Sequence, residues 1–63
     1  MKSYEVFRSL MYKKNVKMSD VIRDTGVTRP VLTDWKMGRK EPSLKTLRRL
    51  ADYFGISVTK FID

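Results

Sequence analysis

Residues 26–38 have the sequence GVTRPVLTDWKMG, and this stretch decides the fold of the chain. A glycine stands at each end of it. At about 100° per residue along a helix, Val31, Leu32 and Trp35 cluster within roughly a third of the circumference. The opposite side carries small, polar and basic residues: Arg29, Pro30, Thr33 and Met37, flanked by Asp34 and Lys36. The pattern predicts a short amphipathic helix with an apolar inner face and a polar outer face.

Both ends of this helix carry capping signals. Thr28 is a favourable N-cap, and Pro30 falls at the second helical position, where its missing N–H breaks no intrahelical bond. Because proline cannot donate there, we expect the Thr28 side chain to bond the N–H of Val31 instead. Gly26 supplies a positive-φ turn before the helix, and Gly38 ends it.

A first helix is predicted near the N-terminus of the chain. Ser3 can cap it, and Asn15 can end it in the left-handed conformation. Four of its residues follow helical spacing and should face the core: Val6, Phe7, Leu10 and Met11.

A second helix is predicted from about Met18 to Thr25, immediately before the central stretch. Its apolar face consists of Met18, Val21 and Ile22. Lys17 is a poor N-cap, but Asp20 can accept from the backbone N–H near Lys17, which is the acidic half of a capping box.

Two more helices are predicted after the central stretch. The fourth begins at a Ser43 cap, ends at Gly55 and has the clearest apolar stripe of the chain: Leu44, Leu47, Leu50, Ala51 and Phe54. Ser57 can cap a last short helix, whose apolar residues close the bundle or meet a partner: Val58, Phe61 and Ile62. With no alternating strand pattern, linker or repeat, residues 1–63 are predicted to form one all-α domain.

The composition limits the classes of function. The 63 residues contain no cysteine and no histidine, which removes the commonest metal ligands and the usual general base. The seven acidic residues are scattered rather than clustered. We therefore predict no enzymatic activity, no metal and no cofactor. Because no apolar run has signal-peptide or membrane-spanning length, we expect a cytoplasmic protein with no membrane partner.

The charge of the chain favours a polyanionic partner. Lysine and arginine total 14 against seven acids, giving a net charge of +7 and a pI near 10.1. Residues 29–49 hold seven basic residues and two acidic ones, and so carry most of that excess. Nucleic acid is the first candidate, and an anionic membrane surface is the second.

Two helices joined by a tight turn, the second with a polar outer face, form a helix-turn-helix. The first turns of such a second helix reach base edges in the major groove of double-stranded DNA. Arg29 can donate two hydrogen bonds to guanine, and Thr33 can offer a hydroxyl or its methyl group. Pro30 offers only apolar contact, while Asp34 either accepts from a cytosine amino group or pairs with a nearby cation.

The loop after this helix suits phosphate. Lys36, Arg39 and Lys40 supply charge, and the helix beginning at Ser43 offers free N–H groups. Arg48 and Arg49 are open to two interpretations, a phosphate contact or a solvated helical face.

The combined spacing resembles the phage Cro- and repressor-type helix-turn-helix family over about residues 6–62. The matching positions are Gly26, Val27, Thr28, Leu32, Trp35, Gly38, Pro42, Leu44, Leu47, Leu50, Ala51, Gly55, Ile56 and Ser57. The resemblance implies a compact, lambda-repressor-like bundle of five helices that binds an operator, usually as a homodimer on a two-fold-related site. It places base contacts at Thr28, Arg29, Pro30, Thr33 and Asp34. It places phosphate contacts at Lys36, Arg39, Lys40 and the start of the second helix.

The chain departs from this family pattern at the start of the second helix. Lys17 stands where the family usually has a capping serine or threonine. Met18 stands where it often has a phosphate-contacting glutamine, a contact that Lys17 can replace. Ile22 stands in place of a small residue, and the larger side chain can open the angle between the two helices.

The leading hypothesis is a sequence-specific DNA-binding transcriptional regulator, a phage or bacterial repressor or its DNA-binding domain, associated with the nucleoid when bound. The alternative is a protein-interaction module, such as an antitoxin-type regulator, and an exposed apolar face at Val58, Phe61 and Ile62 would favour it. A basic helix on a membrane or on RNA is disfavoured, because the basic residues lie on several elements and no aromatic platform for stacking bases is evident.

Overall fold

The structure of the protein, a computed structural model, describes residues 3–62 and contains five α-helices over that range. The helices are α1 (Ser3–Lys14), α2 (Met18–Thr25), α3 (Arg29–Lys36), α4 (Leu44–Phe54) and α5 (Thr59–Ile62). No strand occurs among the described residues. The predicted all-α bundle of five helices is therefore confirmed.

All five helices contribute to the core, and its aromatic part lies where α1, α3 and α5 meet. The Trp35 ring lies 5.2 Å from the ring of Phe7, 5.5 Å from Tyr4 and 5.8 Å from Phe61, measured between centroids. Trp35 Nε1–H donates to the hydroxyl of Ser3 at 2.9 Å, and both residues are buried. This cluster fixes the inner face of α3 and therefore sets the direction of its outer face.

Most of the predicted helix ends are confirmed. Asn15, with a φ of 59°, ends α1 in the left-handed conformation, and Gly26 follows α2 with a φ of 77°. The backbone N–H of Lys17 donates to the Asp20 carboxylate at 2.9 Å, as the acidic half of a capping box requires. Ser43 Oγ accepts from the N–H of Thr46 at 3.2 Å and so caps α4.

The predicted cap of α3 is wrong in one respect. Thr28 has the extended backbone of an N-cap, with a φ of −80° and a ψ of 156°, but its side chain makes no capping hydrogen bond. Only its carbonyl engages the helix, by accepting from the N–H of Leu32 at 3.4 Å. Since Thr28 is exposed, solvent can satisfy its hydroxyl without the bond to Val31 that the sequence predicts.

Leu44 is the second correction. The apolar stripe of α4 predicts that it packs in the core, yet its side chain is 49% exposed, whereas Leu47 and Leu50 are buried. Leu44 is the first residue of α4, so its side chain lies at the end of that apolar stripe. Helical periodicity identifies a face, but it does not say how far the bundle covers that face.

Candidate nucleic-acid interface

The turn between α2 and α3 is short and internally bonded. Thr25 Oγ1 donates to the Val21 carbonyl at 2.7 Å and accepts from the N–H of Val27 at 3.2 Å. Val27 is 6% exposed and lies in the core. Sequence spacing alone indicates no role for Thr25, although a threonine hydroxyl in a helix can bond to the carbonyl four residues earlier. These bonds fix the conformation of the first part of the turn that joins α2 to α3.

Arg49 of α4 lies over this same turn. A Cβ atom at Gly26 would lie 3.8 Å from the Arg49 guanidinium, which is ordinary contact distance. The positive φ of Gly26, rather than crowding, is therefore what requires glycine. Packing on the turn is thus a third role for Arg49, beside the phosphate contact and the solvated helical face that the sequence suggests.

The outer face of α3 is exposed at its N-terminal end. Thr28, Arg29 and Pro30 are exposed, while Thr33 and Asp34 are half-buried one turn further along. Met37, just past the helix, is 59% exposed. The five residues predicted to contact bases therefore lie on one short surface, and the apolar residues Leu32 and Trp35 face inward as expected.

Arg29 contacts the first residue of α2. Its Nη1 lies 3.8 Å from the thioether sulfur of Met18, eleven positions earlier in the chain. Methionine sulfur is a weak acceptor, so it restrains the guanidinium without satisfying its five donors. The contact between Arg29 and Met18 cannot be predicted from the spacing of the two residues or from their types.

Asp34 forms an ion pair with Arg39, a residue predicted to contact phosphate. Arg39 Nε–H donates to Asp34 Oδ1 at 3.0 Å. The sequence left open whether the Asp34 carboxylate accepts from a base or pairs with a cation, and in this structure it pairs with a cation.

A groove of about 300 Å³ lies between residues predicted to contact bases and residues predicted to contact phosphate. Pro30, Val31 and Asp34 form its wall on α3, and residues 40–43 with Thr46 form the other wall. Lys36, Arg39 and Lys40 are exposed beside it. The Ser43 hydroxyl is already engaged with Thr46, so the donors left for a phosphate at this position are the unpaired backbone N–H groups of the first turn of α4.

Lys17 lies at the N-terminus of α2, next to Met18. Its side chain is exposed and forms no ion pair with any residue in 3–62. Because Arg29 contacts Met18, Lys17 lies one residue from a contact between α2 and α3. The helix N-termini at Lys17 and Ser43 are the ends that favour anions.

A second polar cluster connects α2 to α4. Arg23 bonds Asp24 through Nε at 3.0 Å and Nη2 at 3.4 Å, and Tyr53 donates to Asp24 at 3.3 Å. The hydrogen bond from Arg23 lowers the pKa of Asp24, and partial burial raises the pKa of Tyr53. Hydrogen bonding to Asp24 raises the pKa of Arg23. The positive charge of Arg23 is therefore largely neutralised by its ion pair with Asp24.

Two other classes of site find no support in the described part of the chain. No group of three or more histidine, cysteine, aspartate or glutamate residues in 3–62 is placed to hold a metal ion. No helix among those residues is long and apolar enough to cross a membrane.

The C-terminal apolar face is mostly covered by the bundle, since Phe61 is buried and only Ile62 is widely exposed. The alternative of a protein-interaction module is therefore not favoured.

Comparison with known proteins agrees with this geometry. The chain matches the Cro/C1-type HTH DNA-binding domain family over residues 7–63. It is 33% identical over 63 residues to the HTH-type transcriptional regulator DdrOP3 of Deinococcus deserti. That alignment covers 100% of this chain and 49% of the relative, so the chain spans about half the length of the relative. No solved structure matches significantly. The chain belongs to the family of Cro/C1-type helix-turn-helix DNA-binding domains.

Proposed function

We propose that this chain is a sequence-specific regulator of transcription, of the phage or bacterial repressor type, that binds double-stranded DNA with α3 in the major groove. One observation carries the proposal: the exposed end of α3 and the basic loop after it flank a single groove. Residues 1–63 would act as one DNA-binding domain, by binding alone and without catalysis. The bound protein would be located in the cytoplasm, at the nucleoid.

The base-contacting set would be led by Arg29 and Thr33. Arg29 is at the first helical position, where a side chain reaches base edges, and its guanidinium suits the O6 and N7 acceptors of guanine. Thr33 would contact a base one turn further along. Thr28 and Pro30 would make the shorter-range contacts beside them, and Asp34, which pairs with Arg39, borders this surface.

The phosphate-contacting set would be Lys17, Lys36, Arg39, Lys40 and the start of α4 at Ser43. Because polar base-contacting groups are few, phosphate charge and DNA shape should contribute much of the affinity. The strong positive charge of residues 29–49 supports this division.

We also propose that two copies bind a two-fold-related site. A helix of eight residues, with few polar groups on its outer face, can contact only a few base pairs. A second copy one helical turn of DNA away, about 34–36 Å, would double the contacted sequence. A protein-to-duplex ratio of two at saturation would support this arrangement, and a ratio of one would refute it.

The test of the phosphate set is the salt dependence of DNA binding. Lys40→Ala should weaken binding to specific and random duplexes alike, and it should reduce the slope of log K against log salt by about 0.9. Lys13→Ala is the matched control, because Lys13 lies in a groove formed with Ile56 and Lys60, away from α3. Equal slopes for Lys40→Ala and the wild type would remove Lys40 from the phosphate contacts.

A further inference from the structure

Arg39 is bonded to Asp34 in a way that leaves most of its donors free. The hydrogen bond between the two side chains uses Nε–H and one carboxylate oxygen, at 3.0 Å. Arg23 and Asp24 differ, because there Nε and a terminal nitrogen both donate to the carboxylate. A guanidinium has five N–H donors, so the Nε pairing of Arg39 leaves the four on its terminal nitrogens for another acceptor.

The main chain holds Arg39 at the same point. Its backbone N–H donates to the Asp34 carbonyl at 2.8 Å, and the N–H of Lys40 approaches that carbonyl at 3.4 Å. Asp34 therefore anchors both the backbone and the side chain of Arg39. The side chain of Arg39 is 57% exposed and that of Asp34 is 35% exposed, so a phosphate can approach the free end of the guanidinium.

We propose that Asp34 is a positioning residue for Arg39. The carboxylate holds Nε–H in the free protein and in the DNA complex, and it aims the terminal nitrogens of Arg39 at a DNA phosphate. Bidentate contact of arginine with phosphate depends on orientation, which is why a fixed guanidinium binds better than a mobile one. This inference rests on the proposed function and assigns Asp34 to the phosphate contacts rather than to base recognition.

The charge of Asp34 alone would have the opposite effect. A carboxylate beside DNA repels phosphate, so its removal by itself should strengthen binding. The test must therefore separate the charge of Asp34 from its position as an acceptor. Asp34→Asn and Asp34→Ala do this, because both remove the charge and only asparagine keeps an oxygen that can accept from Nε–H.

The experiment is a titration of fluorescent duplex DNA, of random and of selected sequence, with both variants. Asp34→Asn should bind every duplex about twofold to fivefold more tightly than Asp34→Ala, a modest effect because the hydrogen bond is exposed and its acceptor is neutral. In an Arg39→Ala background the difference between the two variants should disappear. Glu41→Gln and Glu41→Ala are the matched control pair, because Glu41 lines the same groove and forms no ion pair within 3–62. These two should bind alike.

Two results would overturn the positioning role. Equal affinities of Asp34→Asn and Asp34→Ala would show that the acceptor does nothing. A difference that persists without the Arg39 side chain, or that is confined to duplexes with one particular base pair, would make Asp34 a base-contacting residue. Neither result affects the proposed function, which fails only if the wild type does not bind duplex DNA with sequence preference.

Discussion

Arg29 and Asp34 lie on the same face of α3, but the side chains that they contact differ in strength as hydrogen-bond partners. Arg29 lies against a methionine sulfur at 3.8 Å, a weak acceptor that it can leave for the stronger acceptors of guanine. Asp34 lies against a guanidinium at 3.0 Å, a strong partner. Because the cost of breaking the Met18 contact is small, we expect Arg29 to discriminate between bases better than any other residue of α3.

Removal of the Arg29 side chain should therefore relax one base preference. We expect Arg29→Ala to lose about 1–3 kcal/mol of binding free energy on the preferred site and little on sites mutated at that one base pair. The measurement is a competition between single-base variants of the selected site. Arg23→Ala is the control, because its charge is paired with Asp20 and Asp24 and it should leave every base preference unchanged. A wild-type preference profile in Arg29→Ala would refute the assignment.

At the scale of the element, the helices that flank the groove differ in how they begin. α4 has a side-chain cap from Ser43, with an accepted hydrogen bond of 3.2 Å. α3 has the extended backbone of a capped helix at Thr28 but no side-chain bond. Proline near the start of α3 compensates in part, because its fixed φ favours the helix and its missing N–H needs no partner.

This difference predicts unequal effects of two similar substitutions on stability. Ser43→Ala should lower the free energy of unfolding by about 1 kcal/mol, because it leaves a helix N–H without its partner. Thr28→Ala should lower it by much less, since no capping bond is lost. Urea unfolding followed by circular dichroism measures both values. A loss at Thr28 equal to that at Ser43 would mean that Thr28 caps α3 in solution.

At the scale of the whole molecule, the aromatic cluster connects the surface of α3 to helices far away in sequence. Trp35 of α3 contacts Phe7 of α1 and Phe61 of α5, and its indole N–H reaches Ser3 at the start of α1. No buried side-chain polar atom among the described residues lacks a hydrogen-bond partner. In a chain of 63 residues with a small core, each such connection is a large share of the stability.

Ser3→Ala tests this connection. The variant leaves the buried indole N–H of Trp35 without an acceptor, which should lower the free energy of unfolding by about 1–3 kcal/mol. Ser9→Ala, at an exposed position of the same helix, should have little effect. Thermal unfolding of the two variants compares them directly. Equal stabilities would mean that the Trp35 N–H finds another partner or that the bond contributes nothing.

The sequence predicts the features that depend on a few adjacent residues. Asn15, Gly26 and Gly55 are found in the left-handed turns expected of them, and Ser43 caps α4. It fails at Thr28, whose side chain makes no capping bond, and where neighbours distant in the chain decide the outcome. Leu44 belongs to the apolar stripe, yet its side chain is 49% exposed. At the candidate site, the contact between Arg29 and Met18 spans eleven residues, and no helical period signals it.

The central claim is that α3 recognises a DNA sequence, and selection of binding sites from random duplex DNA tests it most directly. We expect enrichment of a palindromic consensus. We also expect Arg29→Ala, run in parallel, to select the same consensus with one position in each half-site relaxed. A consensus with no two-fold symmetry would contradict the proposed homodimer. No enrichment above the starting pool, despite measurable salt-dependent binding, would contradict the claim itself.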